Sequence, residues 1–372
     1  MNKAYVIGVG LTNFGRYDAT PVEELARDAC FTALDDAGVE WKEVQALYAA
    51  HVNQGVAAGQ RVIREVGPSG IAVLNVENCS AAASTAVREA TIAISAGVYD
   101  LVVVVGFEKM NHGVLLNVHP SDSPETLMGM TVLPMRFALM ARRHMAEFGT
   151  TIEEFALVSV KNHHHAVNNP KAQFPKPVTL EEVLGSRMIC DPITLLQCSP
   201  NSDGAAAAVI SSERYLRRHG GRAVQLVSSG LTSDISEQAF NQFDLEMVGR
   251  AARQAYEGAG LGPGDLDVIE LHDCFSVAEI LEYEALGLCK AGEGGRLISE
   301  GVTELGGRLP VNTDGGLLAK GHPLGATGLG MIAEIVSQLR GEAGPRQVPG
   351  ARVGLTCNIG MWSACVHVLR SG

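Results

Sequence analysis

Two adjacent residues, Cys79 and Ser80, put a thiol beside a hydroxyl where an apolar run, 71–76, meets a small-residue segment continuing through Ala86, Ala90 and Ile94 to Gly97. The run is predicted to be a buried strand and the segment a closely packed helix. A nucleophile at such a joint lies near unpaired backbone amides and the positive end of a helix dipole, which favour thiolate over thiol and can bind an oxyanion. On this stretch alone Cys79 reads equally well as a small core cysteine. Three later stretches carry proton-transfer or amide groups: His272-Asp273-Cys274 after an apolar run, His322 inside the glycine-rich 315–328, and a strand-like 353–359 closing at Gly360. Loops of this kind at strand ends are where α/β folds keep active sites. The run His163-His164-His165 invites a metal reading, but consecutive helical residues point about 100° apart and cannot converge on one ion. A polar surface or a cofactor-facing edge fits it better, and no metal is expected.

The elements that must position these groups are legible as a duplication. Leu25, Ala29, Ala33 and Ala37, followed by Gly38, Val44 and Leu47, recur as Met247, Ala251, Ala255 and Ala259, followed by Gly260, Leu266 and Ile269. The offset is constant at 222 (38 to 260, 47 to 269), which predicts two copies of one helix-on-sheet unit. Residues 4–10 are predicted to be a first strand closing in a glycine turn, 44–49 a second strand, and 101–106 a central one; a helix follows the glycine-rich loop from about Leu329. The segment 112–199, richer in Met, His and Pro, reads as a partly helical insert, and 203–210 as the strand that completes the first copy. The expected domains are 1–111 plus 200–221, the insert 112–199, and 222–372. Apolar content is 46% and aromatic content 5%, so the interior is built from aliphatic and small side chains, as in helix-covered parallel sheets. A net charge of −12 without a basic run argues against nucleic acid or an anionic membrane as partner. Eight cysteines with no C-x-x-C pair, no leader before Tyr5 and no apolar run of membrane length point to a reduced, cytoplasmic protein.

Taken together these blocks resemble the thiolases, most closely the sterol carrier protein type. The likeness runs through Gly106-Phe107-Glu108-Lys109-Met110, through His272-Asp273-Cys274-Phe275, and through Gly321-His322-Pro323-Leu324-Gly325-Ala326-Thr327-Gly328. The resemblance implies a duplicated α/β fold with a five-layered αβαβα core, an inserted loop domain on the coenzyme A side, and a homodimer or higher oligomer. It also implies reversible Claisen chemistry on coenzyme A thioesters, with coenzyme A as substrate. Carried over residue by residue, His322 matches the activating histidine, His272 a group that helps form the hole for the enolate oxygen, and Cys274 the acid/base. Gly360 would lend its backbone amide to a second oxyanion hole. Cys357 falls one place early for the acid/base of ordinary thiolases, so Cys274 is favoured. Relatives in this neighbourhood often work with a small zinc-ribbon/OB-fold companion subunit.

Two positions depart from the family pattern. The register over 75–86 places Ser80, not Cys79, under the nucleophilic cysteine, and a hydroxyl needs full general-base help to attack. Three readings stand: an engineered cysteine-to-serine change at 80 that inactivates the enzyme, a native serine in an enzyme repurposed for another carbon–carbon cleavage, or a local shift that lets Cys79 serve. The second departure is Trp362 in Gly360-Met361-Trp362-Ser363, where relatives tend to read G-x-G-G. A tryptophan there predicts a bulky or aromatic acyl group rather than acetoacetyl. The expected activity is therefore a thiolase-type acyltransferase. A retro-aldolase on a β-hydroxyacyl thioester and a non-catalytic coenzyme A-binding scaffold are the alternatives.

Overall fold

The computed structural model describes residues 2–110, 127, 132–235 and 245–372. The first part of the chain forms β1 (Ala4–Leu11), α1 (Val22–Ala37), β2 (Ala46–Ala50), α2 (Ala58–Val66), β3 (Ala72–Val76), α3 (Ala82–Ser95) and β4 (Leu101–Glu108). An excursion follows with α4 (Leu133–Phe148), α5 (Ile152–Ala166), α6 (Leu180–Gly185) and the small hairpin of β5 (Met188–Cys190) and β6 (Ile193–Thr194). Among its described residues the predicted insert thus contains α4, α5, α6 and the hairpin, while 111–126 and 128–131 lie outside the described residues. Then come β7 (Gly204–Ser212), α7 (Glu213–His219), β8 (Val224–Ser233), α8 (Glu246–Ala259), β9 (Val268–Glu270), α9 (Ser276–Ala285), α10 (Gly294–Ser299), α11 (Thr327–Arg340), β10 (Val353–Gly360) and β11 (Ser363–Ser371).

Nine strands join in the order β3-β2-β4-β7-β1-β8-β11-β10-β9. The copies meet at β1 and β8, antiparallel, with Ala4 opposite Leu226 and Val6 opposite Val224. The offset of 222 recurs in the geometry: α1 ends on Gly38 at φ 66° and α8 on Gly260 at φ 64°, each followed by a 3₁₀ turn and a parallel strand. Both glycines sit in the left-handed region that closes a helix at least cost.

Five layers result. Helices α3 and α11 form the middle one, with Ala83, Ala86 and Val87 of the first and Leu329, Ile332 and Ile335 of the second closing on the inner faces of both half-sheets. Helices α1 and α2 cover one outer face, and α8, α9 and the excursion's α4 and α5 the other. The strand β3 is the sheet's edge, with Ala72, Leu74 and Asn75 exposed, so the apolar run that reads as buried is only half covered. Among the described residues no helix is long and apolar enough to cross a membrane, and no group of three His, Cys, Asp or Glu could hold a metal ion.

The histidine run is not a polar surface. His163 and His165 are buried and only His164 is exposed. His165 bridges Asn312 O through Nδ1 at 3.0 Å and accepts Leu305 N–H on Nε2 at 3.0 Å; burial pulls its pKa down to about 3. These contacts tie the excursion to the second copy.

The glycines of β1 make no turn. The strand runs through Gly8 and Gly10 because α1 lies directly on it: a Cβ at Gly8 would stand 2.2 Å from Ala33 O, and one at Gly10 2.2 Å from Ala29 O. Gly8→Ala should therefore push α1 off the sheet at a cost of about 1–3 kcal/mol, read as a lower urea midpoint with an unchanged slope.

Candidate active site

The joint between β3 and α3 is a tight turn, with Ala81 N–H donating to Asn78 O at 3.1 Å and Ala82 N–H to Cys79 O at 3.0 Å. Cys79 takes φ 49°, a left-handed conformation that costs a non-glycine residue of order 1 kcal/mol or more. Ser363 Oγ donates to Asn78 Oδ1 at 2.8 Å and anchors the turn to the β10–β11 hairpin. Gly360 permits this approach, because a Cβ there would meet Asn78 O at 2.4 Å. Ser80 is the residue that faces a base: its Oγ lies 3.3 Å from His322 Nε2, and both side chains are only 6% exposed. Cys79 lines the same cavity without that base. Burial raises its pKa, against the lowering pull of Ser80 and Met361 backbone N–H groups, so the expected thiolate at the helix start is corrected to a thiol.

His322 stands in a loop that enters as a π turn over Gly316–Lys320 and a 3₁₀ turn over Leu324–Ala326, so α11 starts at Thr327, two residues before the predicted start. The buried Glu108 carboxylate at the end of β4 accepts Gly325 N–H at 3.0 Å together with Val52 and Asn53 N–H at 2.9 Å each, clamping this loop to the first copy. Lys320 is buried against Asp314. His322 Nδ1 contacts Thr327 Oγ1 at 2.7 Å, and the Thr327 hydroxyl donates onward to Pro323 O at 3.0 Å. Burial, then His272 and Lys320, hold the His322 pKa well below the usual imidazole range.

The third wall comes from the second copy. His272 Nδ1 lies 2.8 Å from Asn358 Oδ1, and its ring meets that of His322 edge-on with centroids 5.0 Å apart. Burial lowers the His272 pKa to about 3. Glu282 of α9 accepts His272 N–H at 2.9 Å from behind. Cys274, held by a Cys274 N–H bond to His272 O and by Ser199 N–H donating to Cys274 O, opens on the cavity, while burial, then Glu282 and Asp273, push its thiol up. Cys357 points to the opposite face of β10 and contacts Glu282 Oε1 at 3.5 Å.

Cys79, Ser80, His272, Cys274, His322 and Gly360 thus border one cavity of about 380 Å³. Leu133, Phe137, Met140, Leu245, Met247 and Trp362 make much of its remaining wall apolar. Chemically, this offers a hydroxyl beside a neutral imidazole, a protonated thiol, and a second neutral imidazole in largely apolar surroundings. Sequence reasoning passed over Asn358 and Glu282. Period-two alternation back from Gly360 would have placed Asn358 on the cavity side and Cys357 off it.

Because the Cys274 pKa is raised, its thiolate forms only above the range of a free thiol, about 8.5. Carbamidomethylation of Cys274 by iodoacetamide, followed by peptide mass spectrometry, should rise with pH through a midpoint above 9, about tenfold slower at pH 8 than an exposed thiol.

Comparison with known proteins finds likeness along the whole chain. The family model described as the thiolase N-terminal domain matches residues 4–214, and that described as thiolase C-terminal domain-like matches 228–371. Sterol carrier protein 2 of Homo sapiens is 42% identical over 99% of this chain and 72% of that protein. The benzoylsuccinyl-CoA thiolase subunit BbsB of Thauera aromatica is 35% identical over 95% of this chain and 94% of its own. The solved Ltp2-ChsH2(DUF35) aldolase aligns with a TM-score of 0.89 at 28% identity, covering 99% of this chain and 98% of that one.

Proposed function

The chain belongs to the thiolase family, and on that premise we propose that it makes and breaks the carbon–carbon bond of a β-ketoacyl coenzyme A thioester with a bulky or aromatic acyl group. The observation that carries this reading is the 3.3 Å approach of His322 Nε2 to Ser80 Oγ at the wall of a cavity shared with the Cys274 thiol. Ser80 Oγ attacks the β-carbonyl carbon while its proton passes to His322, and an oxygen ester forms. As the carbon–carbon bond breaks, the departing enolate takes the Cys274 proton at its α-carbon; a thiol kept protonated by burial suits that task. Coenzyme A then removes the acyl group. Gly360 lends its backbone N–H to the acyl oxygen, and Cys79 is a wall of the site.

Two features support the substrate class. Arg136 and Arg187 are the only Asp, Glu, Lys or Arg side chains among the described lining residues, in a protein of net charge −12, which suits an anionic ligand such as coenzyme A. Trp362 enters the cavity from a turn at φ 55°, where glycine would be unstrained, and narrows the acyl end. The relative named for benzoylsuccinyl-CoA supports an aromatic acyl group. A companion subunit, in addition to self-association, belongs to the same reading: the solved aldolase is named for a pairing of Ltp2 with ChsH2(DUF35).

A second reading, retro-aldol cleavage of a β-hydroxyacyl thioester, is favoured by one residue. It needs no acyl-enzyme and tolerates Ser80, whose hydroxyl is a weaker nucleophile than a thiolate.

Products separate the two. With acyl-labelled β-ketoacyl coenzyme A and free coenzyme A, thiolysis should yield two thioesters and a label on the Ser80 peptide, and Ser80→Ala should cost at least about 100-fold. An aldehyde or ketone from a β-hydroxyacyl thioester, with Ser80→Ala still active, would select the retro-aldolase, and a label on Cys79 would reassign the nucleophile. Cys274→Ala retaining full turnover would dismiss its acid/base role. Trp362→Gly should lower kcat/KM for an aromatic substrate about tenfold and raise it for acetoacetyl coenzyme A.

A further inference from the structure

We infer that Asp273 is a positioning residue: only as a carboxylate does it hold the loop that carries Cys274 in register with the loop that carries His322, so its ionisation is a condition of turnover. Among the described residues, every polar atom its side chain bonds is a donor. Oδ1 accepts Leu317 N–H at 2.7 Å, and Oδ2 accepts Leu318 N–H at 3.1 Å and Asn162 Nδ2–H at 2.7 Å. A protonated Asp273 finds no acceptor for its O–H among these partners and has to give up one of the three bonds. The Asn162 amide is oriented by its second contact, Nδ2 donating to Glu279 Oε2 at 2.8 Å. Gly316 lets the carboxylate reach the turn, since a Cβ there would stand 2.4 Å from Asp273 Oδ2 and the residue takes φ 58°.

Leu317 and Leu318 belong to the π turn Gly316–Lys320, which ends two residues before His322. The far end of that turn is held by the excursion, with Phe174 N–H donating to Ala319 O and Gln173 N–H to Lys320 O at 3.0 Å each. Its near end rests on Asp273. Cys274 follows Asp273 directly and opens on the cavity where His322 Nε2 stands 3.3 Å from Ser80 Oγ. Loss of one N–H bond frees the near end of the turn to shift against Cys274, and a displacement of about 1 Å in a reacting site costs about 100-fold in rate.

Donor number and burial pull on this carboxyl in opposite directions. Burial pushes it up first of all, and Glu279 of α9 adds to that; the Leu317 and Leu318 N–H groups and Lys161 of α5 pull it down, and it settles at about 7. Glu282 and Tyr283 of α9 and Cys274 of its own loop also face it, each with its own pKa raised by burial. The glycine-rich loop presents backbone N–H groups, and the nearby Lys320 is paired to Asp314. His272 titrates at about 3 and His322 below the imidazole range, so neither gains or loses a proton near neutrality. The kinetic consequence rests on the proposed acyl-enzyme chemistry, whereas the tie between carboxylate and turn does not. Asp273 touches no reacting atom; as pH falls through its pKa it takes up a proton, the turn loosens, and acylation of Ser80 slows.

The substrate-free protein offers the first test. With ¹⁵N-leucine labelling, and Leu317 and Leu318 assigned by their loss in Leu317→Ile and Leu318→Ile, both amide signals should move with pH through one midpoint near 7 and stay fixed in Asp273→Asn; amides that do not titrate in the unmodified protein overturn the inference. Asn162→Ala removes a donor from the carboxylate and should move the midpoint to higher pH. That variant serves where Asp273→Asn does not fold, and an unmoved midpoint counts against the assignment. In single turnovers of a β-ketoacyl coenzyme A without free coenzyme A, whose own thiol would titrate, release of the departing thioester should fall about tenfold from pH 8 to pH 6. Asp273→Asn should be slow throughout with a flat profile, and an acid limb that survives in it belongs to another group and overturns the inference. The amide signals need no substrate, so failure to find a cleavable thioester would sink the functional reading while leaving the carboxylate tie tested.

Discussion

The amide of Asn358 is the contact through which the two copies become one site. It holds the Ser80 carbonyl and Ser84 of the first copy on one side and the His272 ring of the second on the other. There is room for it only because the second residue of α11 is glycine where the helix crosses α3: a Cβ at Gly328 would stand 2.3 Å from Ser84 Oγ and 2.5 Å from Asn358 Nδ2. The middle layer is therefore more than core. Its closest approach is the place where a backbone carbonyl, an amide and an imidazole are aligned, and such alignment at sub-ångström tolerance is what proton transfer requires.

Behind that line lies an unusual amount of buried charge. Lys161 of α5 pairs with Glu279 of α9, and Asn162 Nδ2 donates to both Asp273 and Glu279. Lys320 is enclosed by Asp314 with Glu270 nearby, and Arg346 pairs with Glu334 at 2.8 Å. Buried pairs of this kind are weak evidence for stability, since desolvation consumes much of the Coulomb gain. Their geometric effect is clearer. The Asp273 carboxylate, in accepting Leu317 and Leu318 N–H at 2.7 and 3.1 Å, joins the loop bearing Cys274 to the loop bearing His322. Glu108 does the same from the first copy. The excursion is thus stitched through α5 into the loops that bear Cys274 and His322, and its α4 forms a wall of the same cavity.

How much of this was legible in the sequence depends on the kind of signal. The duplication was, because helix spacing and the left-handed glycine at 38 and 260 are local and repeat at one offset. The meeting of Ser80, His272, Cys274 and His322 at one cavity followed from strand-end loops and the resemblance together. The glycines of β1 misled because a glycine forced by a helix pressing on a strand looks the same in sequence as one forced by a turn. The exposure of β3 was hidden because strand order is a tertiary property. His163 and His165 looked like surface because their partners, Lys176 O, Asn312 O and Leu305 N, are backbone groups remote in the chain or across the insert. The thiol at 79 looked acidic because a helix dipole is readable locally, whereas the desolvation that outweighs it is not.

That desolvation also bears on the serine at position 80. In a cavity walled largely by apolar side chains an isolated thiolate is costly, and burial raises the pKa of Cys79, Cys274 and Cys357 alike. A nucleophile therefore has to lose its proton as it forms its bond, to a base that is neutral beforehand. His322 and His272 are held neutral by burial, and His322 Nε2 stands 3.3 Å from Ser80 Oγ. Under that constraint the gap between hydroxyl and thiol narrows, because neither is ionised in advance and both rely on the same transfer to Nε2. What the hydroxyl gives up is the easier return of a thioester to coenzyme A.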